Sequence, residues 1–282
     1  MALNIKENEF LGNHSTFRIG GPAKYFCVVE NKEEILEAVN FAKSKNLPYV
    51  VIGMGSNILF RDRGYEGMVI KMPIISGFKI EGTKISADAG TSFFLLVNES
   101  TKEGLSGLEW AIGIPGTMGG AVVDNTGAFG KSINDVVIKV KTLDKEYTKE
   151  ECEFKYSDSK FKKHGNPEII LEVELGLEKG NPEKIKETIK NNLLQRKDRI
   201  PPYPSAGCVF KNPKPLSAGK LIEDCGLKGE KIGGAQISDL HANIIVNLGN
   251  ATAKDVLELI KICKEKVREK FSVDLEEEIV II

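Results

Sequence analysis

Glycine-dense segments are the part of this 282-residue chain whose residue types and spacing could do chemistry. Residues 104–130, centred on Gly113-Ile-Pro-Gly-Thr-Met-Gly-Gly120, keep glycine at a density that costs folding entropy. Such a stretch lets the backbone take positive φ, or approach something that leaves no room for a Cβ. It reads either as a cradle for a phosphate-bearing ligand or as tight turns in a β-rich region, and both readings stand at this point. Upstream, the apolar run Tyr49-Val-Val-Ile52 leads into Gly53-Met-Gly-Ser-Asn57. Here Gly53 and Gly55 allow successive N–H groups to point one way, a concave nest suited to a pyrophosphate, and Ser56 and Asn57 add short side-chain donors. The full Gly-x-Gly-x-x-Gly leading into a helix is missing, which excludes a Rossmann unit. Arg18, beside Gly20 and Gly21, reads as an anion contact at a turn or as a solvated surface residue.

The elements that must position these residues follow from periodicity. Ile35, Val39 and Ala42 recur at helical spacing over 32–46, with Asn31 and Glu34 as a capping-box start. Apolar runs predict strands at 25–29, 49–52 and 68–71, and Lys79–Ala87 reads as a hairpin. Thr91 is expected to cap a helix with Phe93, Leu96 and Val97 inward, closed by Gly104. Residues 136–143 and 169–177 alternate as half-exposed strands. Asn181-Pro182 opens a helix with Ile185, Ile189 and Leu193 on one stripe, broken by Ile200-Pro-Pro-Tyr-Pro-Ser205. Beyond it come a helix at 218–225, a strand at 244–246 and a helix at 254–270 capped by Thr252. The class is α+β with many short strands.

Composition narrows the partners. Lys+Arg 39 against Asp+Glu 40 gives a net charge of −1, and no basic block carries interleaved aromatics, so a nucleic-acid surface is not expected. Five cysteines without CxxC spacing point to a reducing compartment, with no metal site and no disulfide framework. No export signal or long apolar run appears, so a cytoplasmic protein without membrane attachment is expected. The partner is a small molecule.

Read together and in order, several blocks resemble the UDP-N-acetylenolpyruvoylglucosamine reductase family in its short form. They are Ser15-Thr-Phe-Arg-Ile-Gly-Gly21, Gly53-Met-Gly-Ser-Asn57, Gly107-Leu-Glu-Trp-Ala-Ile-Gly-Ile-Pro-Gly-Thr-Met-Gly-Gly-Ala121, Pro204-Ser-Ala-Gly-Cys-Val-Phe-Lys-Asn-Pro213, Ala218-Gly-Lys-Leu-Ile-Glu223 and Gly226-Leu-Lys-Gly229. The resemblance implies a two-subdomain FAD-binding fold of the vanillyl-alcohol-oxidase/PCMH type, residues 1–72 and 73–197, plus a C-terminal α+β substrate domain, 198–282. It implies FAD contacts from Arg18, Gly53, Gly55, Ser56, Asn57, Ile114, Pro115, Gly116, Thr117, Gly119, Gly120, Ala121, Asn125 and Gly127. It further implies an enzyme that uses NADPH and reduces the enolpyruvyl ether of a UDP-sugar in peptidoglycan precursor synthesis; a monomer is expected.

Hydride addition to that double bond throws charge onto the adjacent carboxylate, so such a site needs cationic or hydrogen-bonding groups there and one acid at the neighbouring carbon. In the family pattern the acid is the residue after Ala-Gly, here Cys208, and a thiol of reference pKa about 8.5 is a better acid than an alcohol. The family glutamate matches Glu278; Tyr156, Asn212, Lys220 and Gln236 fall in substrate-facing segments.

Three departures stand out. Where the family reads Tyr-Arg-x-Ser this chain has Tyr156-Ser157-Asp158-Ser159, Asp124 replaces a methionine near the flavin, and Val280 replaces an arginine. Loss of an arginine that contacts the transition state could cost about 3 kcal/mol or more. Lys155 and Lys160 are the nearby candidates to restore the charge, although strand alternation would turn Lys155 away. Two other readings follow: a flavoprotein of the same fold with impaired or different activity, and a non-catalytic binder of FAD or UDP-sugar.

Overall fold

The computed structural model describes residues 3–73, 77–163 and 165–282. Among these, six α-helices punctuate many short strands: α1 (Lys32–Ser44), α2 (Phe93–Lys102), α3 (Met118–Val123), α4 (Pro182–Lys197), α5 (Ala218–Asp224) and α6 (Ala253–Phe271). The chain forms two compact units, neither of them one continuous segment. The first holds the described residues up to Lys6, with Phe26–Met54 and Gly67–Lys197. The second holds Glu7–Tyr25, Gly55–Glu66 and Asp198–Ile282.

In the first unit an antiparallel five-stranded sheet runs in the order Glu146–Thr148, Val137–Thr142, Ile170–Gly176, Lys84–Asp88, Phe78–Glu81. Register sets one apolar row across it: Tyr147 opposite Val140, Val140 opposite Val173, Val173 opposite Ala87, and Ala87 opposite Phe78. Because side chains alternate between faces, the neighbouring row is polar. There Lys139 and Lys84 both reach Glu174, at 3.7 and 2.9 Å. The apolar face joins a core that includes Phe93, Leu96 and Val97 of α2 and Met118, Ala121 and Val122 of α3. Phe93 meets Trp110 edge to face, with centroids 5.6 Å apart.

Helix α1 starts where expected, with the Asn31 side chain accepting the Glu34 N–H at 2.9 Å, but the capping box is not closed: the Glu34 carboxylate accepts the Glu30 N–H at 2.8 Å instead of that of Asn31. The start of α2 differs: its N-cap is Ser92, which makes no side-chain cap bond, while the Thr91 hydroxyl donates to the Gly77 carbonyl at 2.7 Å. Helix α4 also departs from the expected stripe. Ile185 is buried, but Leu193 is 44% exposed, so the apolar face does not run the length of the helix.

The second unit is built around α5 and α6. Strands Lys231–Ile232, Ala235–Ile237 and Ile245–Asn247 form an antiparallel sheet, and Val280–Ile281 pairs in parallel with Ile58–Leu59. Phe17, Ile19 and Leu59 come from distant parts of the sequence to enter the core formed by Val256, Leu259, Ile260, Cys263 and Val267 of α6. The start of α6 is fully provided for. Asp62 accepts the N–H groups of Ala253 and Lys254 at 2.7 and 2.9 Å, and Thr252 and Asp255 form a capping box.

Candidate active site

In the first unit the two glycine-rich stretches meet. A Cβ on Gly53, just past strand Tyr49–Ile52, would lie 2.3 Å from the Thr117 hydroxyl, so only glycine lets the strand end press against the start of α3. Thr117 is the N-cap of α3, its hydroxyl accepting the Gly120 N–H at 3.5 Å. Several of the glycines serve packing. Gly119 would carry its Cβ to 3.0 Å from Ala89, and its N–H already donates to the Ala89 carbonyl at 2.8 Å. The Met118 N–H goes to the Thr91 carbonyl at 2.9 Å. These two N–H groups are therefore used inside the fold, and the cradle expected over 113–120 owes less to them than the sequence implied. Gly127 is fixed by the hairpin it forms with Ser132, where a Cβ would come 2.5 Å from the Lys131 carbonyl oxygen. Gly120 is different: it is exposed, needs no positive φ, and a Cβ there would meet only the Thr117 hydroxyl, at 3.6 Å. Ile114, Pro115, Gly116 and Ala121 surround this turn in the chain; Ile114 donates its N–H to Ala111 at 3.0 Å.

Residues 155–158 form a tight turn in place of the expected strand. The N–H of Lys155 and the carbonyl of Asp158 bond at 2.9 Å, the reverse pair bonds at 3.2 Å, and Ser157 takes a left-handed φ of 50°. Strand alternation therefore does not decide where Lys155 points. The turn is laced to the residues that leave α3. Asn125 donates from Nδ2 to the Lys155 carbonyl at 2.7 Å and Ser159 Oγ donates to the Val123 carbonyl at 2.8 Å. Tyr156 is 44% exposed at the tip, whereas Ser157 is 8% exposed. Lys162 Nζ donates to the Ser157 carbonyl at 3.1 Å and lies 2.9 Å from Asp124 Oδ1. Lys160, considered as a substitute cation, instead sits over the Tyr147 ring, 4.1 Å from its centroid.

In the second unit one short backbone segment carries Cys208. It forms a bridge to Ile244 on one side, and on the other Phe210 bridges to Glu277. The Glu278 N–H donates to the Val209 carbonyl at 2.8 Å, so the glutamate backbone is bonded to the residue next to the cysteine. Asn57 clamps that stretch twice: Nδ2 donates to the Glu278 carbonyl at 3.3 Å, and its own carbonyl accepts the Val280 N–H at 2.9 Å. Asn243, which the sequence did not single out, acts as a side-chain strand for Phe210. It accepts the Phe210 N–H at 2.9 Å and donates to its carbonyl at 2.8 Å. Glu276 and Glu277 pair with Lys211 and Lys264 at 2.7 and 3.0 Å.

Asn212 and Lys220 are both tied to α5. Asn212 Oδ1 accepts the Ala218 N–H at 3.0 Å, and Lys220 pairs with Asp224 at 2.6 Å on an exposed face. Gln236 lies in strand Ala235–Ile237, its side-chain amide donating to the Gly229 carbonyl at 3.2 Å. Gly55 takes φ +67° and has no room for a Cβ, which would be 2.5 Å from the His14 carbonyl oxygen. Arg18 is exposed with φ 57°, and Gly20 and Gly21 are accounted for by close packing on Phe60 and Asp62. Ser56 sits between Gly55 and Asn57 at the turn into strand Ile58–Leu59. Among the described residues no cluster has the makings of a metal site, and no helix is long and apolar enough to cross a membrane.

Comparison with known proteins bears on both units. Residues 23–149 match the model of an FAD binding domain, and residues 199–282 match that of the UDP-N-acetylenolpyruvoylglucosamine reductase C-terminal domain. The chain is 41% identical over 281 residues to a UDP-N-acetylenolpyruvoylglucosamine reductase of Caldanaerobacter subterraneus subsp. tengcongensis, covering 98% of this chain and 92% of that protein. Identity to the reductase of Alkaliphilus oremlandii is 43% over 282 residues, with the same coverage of 98% and 92%. The crystal structure of UDP-N-acetylenolpyruvylglucosamine reductase from Thermus caldophilus aligns with a TM-score of 0.83 at 36% identity, covering 100% of this chain and 99% of that one.

Proposed function

Since this chain belongs to the UDP-N-acetylenolpyruvoylglucosamine reductase family, we infer that it is a flavin oxidoreductase that reduces UDP-N-acetylglucosamine enolpyruvate to UDP-N-acetylmuramate for peptidoglycan precursor synthesis. FAD, when bound, supplies hydride chemistry between NADPH and the enolpyruvyl double bond. The chain's residues fit that cofactor at Gly120, an exposed glycine that neither φ nor packing explains and that leaves room for close approach of a phosphate. Thr117 and Gly53 hold this turn in shape, with Ile114, Pro115, Gly116 and Ala121 around it; Gly55, Ser56, Asn57 and Arg18, which belong to the second unit, are assigned to FAD by the family resemblance alone. Residues 1–72 and 73–197 then act as the FAD-binding parts and 198–282 as the substrate part, in a cytoplasmic monomer.

Cys208 is the acid that protonates the carbon next to the carboxylate, and Glu278 assists where charge develops. The observation that carries this assignment is the bonding of Glu278 to Val209, with Asn57 clamping the glutamate's far side. It keeps the two segments in one register. In the second unit Asn212, Lys220 and Gln236 are the residues assigned to the UDP-sugar; Tyr156, in the first unit, is assigned to it by the family resemblance alone. Identity of about 40% over nearly the whole chain favours the reductase over a same-fold flavoprotein of other activity or a non-catalytic binder.

The test is anaerobic. The bound flavin is reduced with NADPH, the enolpyruvyl UDP-sugar is added, and return of the oxidised flavin spectrum is followed. Return within seconds is expected; a flavin that stays reduced would rule out the reductase.

A further inference from the structure

Ser157 and Asp124 depart from the family pattern at separate places in the chain, yet they meet at one ammonium. Lys162 Nζ donates to the Ser157 carbonyl at 3.1 Å and lies 2.9 Å from Asp124 Oδ1. The two charged side chains are 16% and 20% exposed, so the pair is neither sealed in the core nor loosely solvated. Its frame is stiff. Bonds from Asn125 to Lys155 and from Ser159 to Val123 hold the turn against the end of α3, where the glycine-rich segment finishes.

Asp124 without a cation would repel an anionic substrate, and Ser157 offers no charge to offset it. A lysine can fill that role, because its ammonium is a point charge with three donors on a flexible stem, able to move from one carboxylate to another. Lys160 is occupied on the Tyr147 ring, and Lys155 is exposed at the turn, without the ion pair that fixes Lys162.

We propose that Lys162 supplies the positive charge that meets the enolpyruvyl carboxylate, and that Asp124 holds the ammonium in place until the substrate carboxylate displaces it. The proposal rests on the reductase reading. A purely structural ion pair makes a different prediction, because then removing either partner does the same damage.

The experiment uses the FAD-loaded protein and two nucleotide sugars, UDP-N-acetylmuramate, which carries the carboxylate, and UDP-N-acetylglucosamine, which does not. Binding is read from the perturbation of the flavin spectrum. Lys162→Met is expected to weaken UDP-N-acetylmuramate by about tenfold or more while shifting UDP-N-acetylglucosamine by less than about twofold. Reoxidation of its reduced flavin by the enolpyruvyl substrate should slow by about thirtyfold or more. Adding Ser157→Arg to that variant should recover about tenfold. Asp124→Asn should bind UDP-N-acetylmuramate at least as tightly as the parent, and Lys162→Arg should keep its affinity, which covers the case in which Lys162→Met does not fold. Equal weakening of both nucleotides by Lys162→Met and Asp124→Asn would overturn the proposal, as would unchanged UDP-N-acetylmuramate affinity in Lys162→Met. Failure of the parent protein to reoxidise would remove the reductase reading and the proposal together. A parent that reoxidises and a Lys162→Met variant that matches it would remove the lysine assignment alone.

Discussion

Cys208, the proposed acid, is a thiol, whose reference pKa of about 8.5 makes it a readier proton donor than an alcohol. Cys208 is partly exposed, in contrast to the buried Cys27, Cys152 and Cys263. Burial pushes the Cys27 and Cys263 thiols up to about 12 and Cys152 to about 11, so none of these three is a useful acid at neutral pH. Removing a positioned general acid typically costs about two to four orders of magnitude. Cys208→Ala is therefore expected to slow reoxidation of the reduced flavin by the enolpyruvyl substrate by about a hundredfold or more, with reduction by NADPH unaffected. Cys208→Ser should retain most of what Cys208→Ala loses. Rapid-mixing absorbance of both half-reactions checks this, and equal rates in parent and Cys208→Ala would take the acid role away from Cys208.

At the scale of elements, the structure explains why some of the site is readable in the sequence and some is not. Strand and helix positions are legible because they rest on local periodicity: α1 with its Asn31 cap and the strand Tyr49–Ile52 run where the spacing puts them. Thr91 has the residue type of a cap, but the N-cap falls on Ser92 one residue further on, and only the fold shows that Thr91 bonds to Gly77. The meeting of Lys162 with Asp124 spans residues far apart in sequence and leaves no periodic trace. The same holds for Asp62, which caps α6 from a distance. Since its carboxylate accepts two N–H groups at the helix start, Asp62→Ala should cost about 2 kcal/mol of stability. Urea unfolding followed by circular dichroism measures it; a loss under about 0.5 kcal/mol would mean that water replaces the carboxylate at no cost.

On the scale of the whole molecule, the two units matter more than the order of the sequence. A boundary near residue 198 is visible in the Pro-rich break, and residues 199–282 match a family domain. Yet the unit containing them also needs Glu7–Tyr25 and Gly55–Glu66. Phe17 and Leu59 are fully buried in its core, Ile58–Leu59 pairs with Val280–Ile281, and Asp62 caps α6. Deleting one large buried side chain costs about 2 to 5 kcal/mol, and a whole domain commonly has only about 5 to 15 to spare. Residues 198–282 expressed alone should therefore fail to fold cooperatively, giving poorly dispersed amide resonances and no sharp thermal transition. Adding a peptide spanning residues 55–66 should not by itself restore the fold, because Phe17 and Ile19 remain absent. A dispersed spectrum with a cooperative melt from 198–282 alone would show that the distant segments contribute little to its core. The functional consequence follows from Asn57, which lies in one of those segments and clamps Glu278: the part of the chain that holds the proposed catalytic glutamate cannot keep its geometry when separated from the segment that begins with Gly55-Ser-Asn57.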